Sequence, residues 1–297
     1  MIMNKLLLHP IVSNQLDNFA AKPSHALLVV GYEGIGKSTI CKLLTIRLLK
    51  LSDESKLETY PHLKIIQPDD KSISIEAIRE LKQFTKLKIS SQANEIQRVI
   101  VIEHAETLTI EAQNALLKLL EEPPTDTVLI LATTTSQALL PTIRSRSQTI
   151  NIKQPTREAI VEYFEDYGFK IASINQAYLL SGGLVGLMSS LLEGKDDHPL
   201  SKTVLVARKL LQATTFDRLT MVDSLSKQRD EYMRLLLVLQ QMSHAALEQA
   251  VTKEMTTTIA QTIKRWQCIL KETYAAETAL LTNAQPKLVL TNLLLNL

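Results

Sequence analysis

The sequence of 297 residues predicts an α/β domain with a parallel five-stranded sheet, followed by two helical regions. Apolar runs of strand length alternate with helix-period segments in the first half of the chain, at 26–30, 64–66, 99–102, 128–132 and 149–152. This alternation is typical of a parallel sheet that helices cover. After Gln154-Pro155 the strand pattern stops, and helical periodicity continues to the end of the chain.

Breaks in the pattern predict three domains, at residues 1–155, 156–198 and 199–297. A charged, proline-marked linker from Gly194 to Pro199 separates the two helical regions. Within the first domain one helix is defined at both ends. Thr109 can cap its start and Pro123-Pro124 prevents its continuation, so we expect it to run from about Ile110 to Glu122.

Composition restricts the class of protein. A net charge of +2 neither supports nor excludes a nucleic-acid partner, because a local basic patch can exist within a balanced total. The N-terminus is too weakly apolar for a signal peptide and no stretch reaches membrane-spanning length, so we expect a cytoplasmic protein without membrane contact. Cys41 and Cys268 are isolated, which predicts no zinc site and two buried small hydrophobic side chains.

The strongest chemical signal is the segment 31–38, GYEGIGKS, which fits the phosphate-loop pattern G-x-x-x-x-G-K-[ST] and directly follows a predicted strand. Its glycines let backbone N–H groups curl around phosphates, and Lys37 can reach the outer phosphates. Ser38 can bind Mg²⁺. The alternative is a glycine turn without a ligand. We expect ATP or ADP with Mg²⁺, contacted by Gly31, Gly34, Gly36, Lys37, Ser38 and Thr39.

An acidic strand end supplies the second signal. The apolar run that ends at Ile102 leads into Glu103, which is the candidate Mg²⁺ partner together with Ser38. An active ATPase usually needs a further carboxylate to polarise the attacking water, and His104 at the adjacent position is a poorer match. The pattern therefore predicts weak or absent ATP hydrolysis. Two alternatives stay open: Glu106 can supply the carboxylate, and His104 can be a plain surface residue.

The segment 112–124, AQNALLKLLEEPP, resembles the NALLK-LEEPP signature of the bacterial AAA+ clamp-loader family of DNA polymerase III. Residues 129–134 are similar to the sensor strand of that family, and residues 140–147 to its Ser-Arg-Cys motif. The resemblance is dense in the first half of the chain and thin near its end. It implies an AAA+ P-loop domain over 1–155, a helical lid over 156–198, and a collar over 199–297 through which five subunits form a ring.

The resemblance also implies roles for single residues. Thr133 corresponds to the sensor of the terminal phosphate, and Arg146 to the finger that enters the ATP site of a neighbouring subunit. A guanidinium there stabilises the charge that develops during phosphoryl transfer. Arg144 is an alternative or a helper. The implied partners are motor gamma/tau subunits and a clamp-opening delta subunit in a hetero-pentameric ring, the sliding clamp, and primed DNA.

Departures from the motor pattern resemble delta-prime members. The motors have aspartate then glutamate where this chain has Glu103 and His104, and Val185 stands where they have a second sensing arginine. The four-cysteine zinc module of many relatives is absent, so residues 52–59 are expected to form a plain loop.

Two functions follow from these patterns. The first is a delta-prime-like subunit that takes part in ATP-dependent clamp loading and donates Arg146 to a motor subunit. The alternative is an independent AAA+ ATPase, either a gamma/tau-like motor or another DNA-linked machine. A basic stretch at Lys82, Lys86 and Lys88 fits a DNA contact or a solvated face.

Overall fold

The computed structural model describes residues 6–57, 59–69, 72–86, 96–195, 198–222, 225, 228–251, 256–282 and 284–297. The chain divides into two compact units, the first extending to Pro155 and the second running from Thr156 to Leu297. The further division of the second unit at residue 198 stays a prediction. Within the described ranges, none of the helices has the length and apolar content needed to span a bilayer.

The first unit alternates strands with helices, as the sequence predicts. Its elements are α1 (Pro10–Ala21), β1 (Ala26–Val30), α2 (Lys37–Leu48), β2 (Leu63–Ile66), α3 (Ile75–Lys86), β3 (Arg98–Ile102), α4 (Ile110–Glu121), β4 (Thr127–Thr133), α5 (Pro141–Ser145) and β5 (Gln148–Asn151). Short 3-10 turns lie at Glu54–Lys56, Ala105–Thr107 and Ser136–Ala138. The expected plain loop over 52–59 therefore contains one 3-10 turn, which follows Asp53.

The strands form one sheet in the order β2-β3-β4-β1-β5, and every neighbouring pair is parallel. This confirms the predicted parallel five-stranded sheet. Side chains alternate between its two faces, and each face has its own apolar core. One core contains Leu28, Ile100 and Leu131, and the other contains Leu27 and Val101. Burial on both faces explains why the strands are continuous apolar runs.

Strand order determines which loops can meet. Because β1 lies between β4 and β5, the loop after β1 is at the same sheet edge as the residues that follow β4. The helix after that loop, α2, belongs to the core formed with α1. Helix α4 begins at Ile110 with the Thr109 hydroxyl accepting from the Ala112 N–H, which confirms the predicted start and cap.

The second unit is all-helical in the part that the structure describes. It comprises α6 (Arg157–Asp166), α7 (Ile171–Ser181), α8 (Val185–Glu193), α9 (Ser201–Gln212), α10 (Thr215–Met221), α11 (Arg229–Val251), α12 (Thr257–Leu281) and α13 (Pro286–Asn296). Helices α11 and α12 are the longest and pack along each other, and both α7 and α9 pack on α11. The Tyr178 hydroxyl of α7 donates to Glu248 of α11 at 2.7 Å.

The prediction that both cysteines are buried is wrong for Cys268. Cys41 is buried in the first unit, whereas Cys268 is exposed on α12. The buried side of α12 includes Ile269, Thr273 and Ala276, which recur at helical spacing. Cys268 is one residue before this series, and one residue rotates a helix by about 100°. Its side chain therefore points away from the core.

A close helix contact at Gly182 gives a testable prediction about stability. Gly182 has φ +64°, and an added Cβ would lie 2.4 Å from the Gln241 Cβ and 2.8 Å from the Gln241 carbonyl carbon. We expect Gly182→Ala to lower the free energy of unfolding by about 3 kcal/mol, through left-handed strain and overpacking together. Urea unfolding followed by the fluorescence of Trp266, the single tryptophan, measures this loss.

Gly194 is a matched control for this substitution. Its φ is +68°, but a Cβ there would meet nothing within 4 Å. Gly194→Ala therefore carries only the conformational penalty, about 1 kcal/mol. Equal losses of unfolding free energy in the two variants would show that the close contact between Gln241 of α11 and Gly182 does not prevent a side chain at position 182.

Candidate functional site

The loop after β1 has the backbone of a phosphate cradle. Gly34 and Gly36 have φ values of +82° and +96°, in the left-handed region that favours glycine. At Gly31 the space is tight, because an added Cβ would lie 3.0 Å from Ile35 Cγ2 and 3.1 Å from the Cβ of Ile152, so these side chains would have to shift. Helix α2 begins directly after Gly36 without a side-chain cap. Its first N–H groups therefore face the loop and form a positive helix end.

Lys37 folds back over this loop. Its Nζ donates to the carbonyl oxygen of Gly31 at 2.7 Å and to that of Tyr32 at 2.9 Å. Burial lowers the pKa of Lys37, while the charges of Glu106, Glu33 and Glu103 act in the opposite direction. The ammonium is thus placed at the loop and within the field of acidic groups. Ser38 is exposed in the first turn of α2, and Thr39 is half-buried beside it.

Glu103 follows β3 and has 7% of its surface exposed. Its backbone N–H donates to the Ile66 carbonyl at 2.9 Å, which continues the pairing with β2. Gln67, directly after β2, donates its side-chain amide to Glu103 Oε2 at 2.7 Å. Gln67 therefore orients the carboxylate that the sequence assigns to Mg²⁺. Sequence reasoning missed Gln67, because only the pairing of β2 with β3 brings it to Glu103.

The residues after Glu103 form a second acidic centre. His104 has φ +52°, which turns the chain into the 3-10 turn that contains Glu106. Glu106 accepts from the Thr134 N–H at 3.2 Å and from the Thr134 hydroxyl at 3.0 Å, and His104 Nδ1 lies 3.6 Å from its carboxylate. Glu106 therefore points toward the end of β4. The contact with Thr134 thus fixes the orientation of Glu106, which the sequence suggests only as an alternative carboxylate for polarising water.

The pKa values of this pair are shifted by their contact. Burial alone would raise the pKa of Glu106, but the contact with His104 and hydrogen bonds from its own amide and from Thr134 lower that pKa to about 2. The same contact with Glu106 raises the pKa of His104, against the opposing effect of burial. Glu106 is therefore ionised at neutral pH, with its charge directed into hydrogen bonds.

Thr133 is fully buried at the end of β4. Its hydroxyl donates to the Thr135 carbonyl at 2.9 Å and accepts from the Thr135 N–H at 3.3 Å. Its carbonyl accepts from the Gly31 N–H at 3.1 Å, which joins the end of β4 to the first residue of the phosphate loop. The structure thus brings Thr133 beside the loop, with its hydroxyl engaged in its own turn.

Arg146 and Arg144 lie at the end of α5, in different surroundings. Arg146 has 37% of its side chain exposed and pairs with Glu121 of α4, with 3.2 Å between Nη2 and Oε1. It also donates to the Thr142 carbonyl at 3.2 Å. The Nε of Arg144 is buried and has no hydrogen-bond partner among the described residues. Arg146 is therefore a partly exposed guanidinium held by a surface ion pair, whereas Arg144 has its Nε buried.

Other predicted positions lie elsewhere in the two units. Val185 is the first residue of α8 and is half-buried. Lys82 is half-buried on α3, which ends at Lys86, whereas Lys88 lies outside the described residues. The DNA contact at this basic stretch stays a prediction.

Comparison with known proteins points to one family. Residues 9–156 match the family model described as DNA polymerase III, delta subunit. The DNA polymerase III subunit delta' of Bacillus subtilis is 35% identical over 175 residues, covering 54% of this chain and 51% of that protein. The subunit delta' of Pseudomonas aeruginosa is 33% identical over 141 residues, covering 42% of each chain. The subunit tau of Bacillus subtilis is 29% identical over 198 residues, covering 59% of this chain and 32% of tau.

The family-model match at residues 9–156 covers the unit that contains the phosphate loop. In these alignments the chain spans about half the length of the curated delta-prime relatives it matches. The loop after β1 and all five strands of the parallel sheet lie within the residues that the family model matches. Through residues 9–156, the chain therefore belongs to the clamp-loader family of DNA polymerase III, as a delta-prime-like member.

Proposed function

We propose that this chain is a subunit of a hetero-pentameric ring that loads the sliding clamp onto primed DNA, beside motor gamma/tau subunits and a delta subunit. One observation carries the proposal: a complete phosphate loop lies beside a strand end where His104, and not a carboxylate, follows Glu103. The loop suits nucleotide binding, whereas the imidazole of His104, whose Nδ1 lies 3.6 Å from the Glu106 carboxylate, is a poorer match than a carboxylate for polarising the attacking water. This combination favours a subunit that binds nucleotide to support assembly of the ring over a subunit that hydrolyses it.

The donor set fits ATP or ADP with Mg²⁺. Backbone N–H groups of the loop and the start of α2 suit the phosphates, and Lys37 supplies a cation beside them. The Ser38 hydroxyl and the Glu103 carboxylate are hard oxygen donors, which Mg²⁺ prefers. When bound, Mg²⁺ neutralises phosphate charge. Gln67 keeps one Glu103 oxygen engaged and so orients the other.

Arg146 is the residue we propose for action on a neighbour. It lies at the end of a short helix, partly exposed, and its present partner Glu121 is itself on the surface. A surface ion pair of this kind contributes at most about 1 kcal/mol, so a more highly charged partner can replace it. A terminal phosphate of a neighbouring subunit is such a partner. Donation of Arg146 would then couple hydrolysis at that site to ring assembly.

The test combines the purified chain with the gamma/tau and delta subunits of its own organism. We expect a stable complex by analytical ultracentrifugation, and ATP turnover by the isolated chain close to the rate without protein, because His104 replaces the base. Failure to assemble would contradict the proposal. Appreciable turnover by the isolated chain that Glu103→Gln abolishes would instead establish the alternative, an independent ATPase.

A further inference from the structure

Glu106 lies three residues after Glu103, and its position admits two different roles. A general base must direct an oxygen lone pair at the water it activates. A positioning residue instead uses its oxygens to fix another part of the site. The two Thr134 contacts engage different oxygens of the Glu106 carboxylate, since the N–H donates to Oε2 and the hydroxyl to Oε1. His104 Nδ1 lies on the Oε1 side.

These contacts continue into the phosphate loop. Thr134 directly follows Thr133, whose carbonyl accepts from the Gly31 N–H at 3.1 Å. Because a peptide unit is planar, fixing the Thr134 N–H also fixes the carbonyl of Thr133. Glu106 therefore acts across two strand junctions, from β3 to β4 and from β4 to β1.

We infer that Glu106 is a positioning residue that ties the end of β4, with Thr133, to the phosphate loop, and that it is not the base that activates water. The inference rests on the proposed nucleotide function, whose loop it helps to shape. Electrostatics supports the same role, since among the acidic groups Glu106 has the largest effect on Lys37, ahead of Glu33 and Glu103.

The experiment uses the full chain and a fluorescent ADP analogue with Mg²⁺. Glu106→Ala is expected to weaken binding at least about fivefold, the lower range of coupling between linked sites. Thr134→Val, which keeps the N–H and removes the hydroxyl, is expected to weaken it less. The double variant should bind no worse than Glu106→Ala, because the two side chains act through one contact. Glu106→Gln should recover part of the affinity, since its amide oxygen still accepts one hydrogen bond.

Amide hydrogen exchange without nucleotide provides a second readout. Glu106→Ala should accelerate exchange at Thr134, which loses its acceptor. Leu16→Ala is the control for general destabilisation, because Leu16 is buried in α1 and makes no part of this contact. It should lower stability without changing ADP affinity or Thr134 exchange.

The outcomes separate this inference from the proposed function. If the unaltered chain binds no ADP analogue, the proposed nucleotide function fails. Amide exchange at Thr134 then still tests whether Glu106 fixes the end of β4. If the unaltered chain binds the analogue and Glu106→Ala binds it equally well, Glu106 does not position the site. If the isolated chain does turn over ATP, against our expectation, a loss of that turnover in Glu106→Ala at unchanged affinity would assign Glu106 to the base role and overturn the inference.

Discussion

Replacing Arg146 by alanine is expected to remove this chain's contribution to ATP turnover in a reconstituted ring. A guanidinium that reaches the terminal phosphate accelerates phosphoryl transfer by about 10³-fold or more at the site it enters. Arg146 lies on the surface at the end of α5, so its removal leaves no buried cavity and no unpaired buried charge. The measurement is ATP turnover stimulated by clamp and primed DNA, at equal complex concentration.

Two variants control for the loss of the ion pair and for the loss of a surface arginine. Glu121→Gln removes the partner of Arg146 but keeps the guanidinium, so it should retain turnover. Arg79→Ala removes an exposed arginine that pairs with Glu76 on α3, and should also have no effect. Equal losses of ATP turnover in Glu121→Gln and Arg146→Ala would show that the ion pair only supports local structure. An unaffected turnover rate in Arg146→Ala would exclude an arginine finger at this position.

Replacing Lys37 by alanine is expected to weaken ATP and ADP binding about ten- to hundredfold. A hydrogen bond to a charged group contributes about 1.5–3 kcal/mol, and each 1.4 kcal/mol changes affinity tenfold. The two carbonyls that Lys37 contacts belong to the loop itself; the contact with Gly31 is part-buried and that with Tyr32 is exposed. Isothermal titration with Mg-ADP, together with the unfolding temperature, separates lost affinity from lost stability.

Lys42 provides the matched control for that experiment. It lies on the same helix, is exposed, and is outside the phosphate-loop motif. Lys42→Ala should bind nucleotide like the unaltered chain. Unchanged affinity in Lys37→Ala would instead favour a glycine turn without a ligand, and the loop would then have only a structural role.

The site was predictable where its signal is local in the chain. Residues 31–38 are contiguous, and their left-handed glycines follow a strand whose five apolar residues are visible in the sequence. The start of α4 was predictable for the same reason, since a cap acts within one helical turn. The exposure of Cys268 was not predictable, because only the packing of α12 decides which side of this apolar helix is buried.

The contacts of the acidic residues depend on strand order, which alternation of strands and helices leaves open. Gln67 meets Glu103 across β2 and β3, and Glu106 meets Thr134 across β3 and β4, with sequence separations of 36 and 28 residues. No short pattern relates residues so far apart. The carboxylate that the sequence leaves as a candidate base is, in the fold, bound through both oxygens.

The sequence by itself determined the loop conformation of residues 31–38 as a phosphate-loop pattern, the five strands, the limits of α4 and the family resemblance, because each depends on neighbouring residues or on a contiguous motif. Only the tertiary structure decided which side chains orient Glu103 and Glu106, and that Arg146 pairs with Glu121. The physical reason is that hydrogen bonds and ion pairs need atoms within about 3–4 Å. Strand order and helix packing, and not spacing along the chain, bring these atoms together.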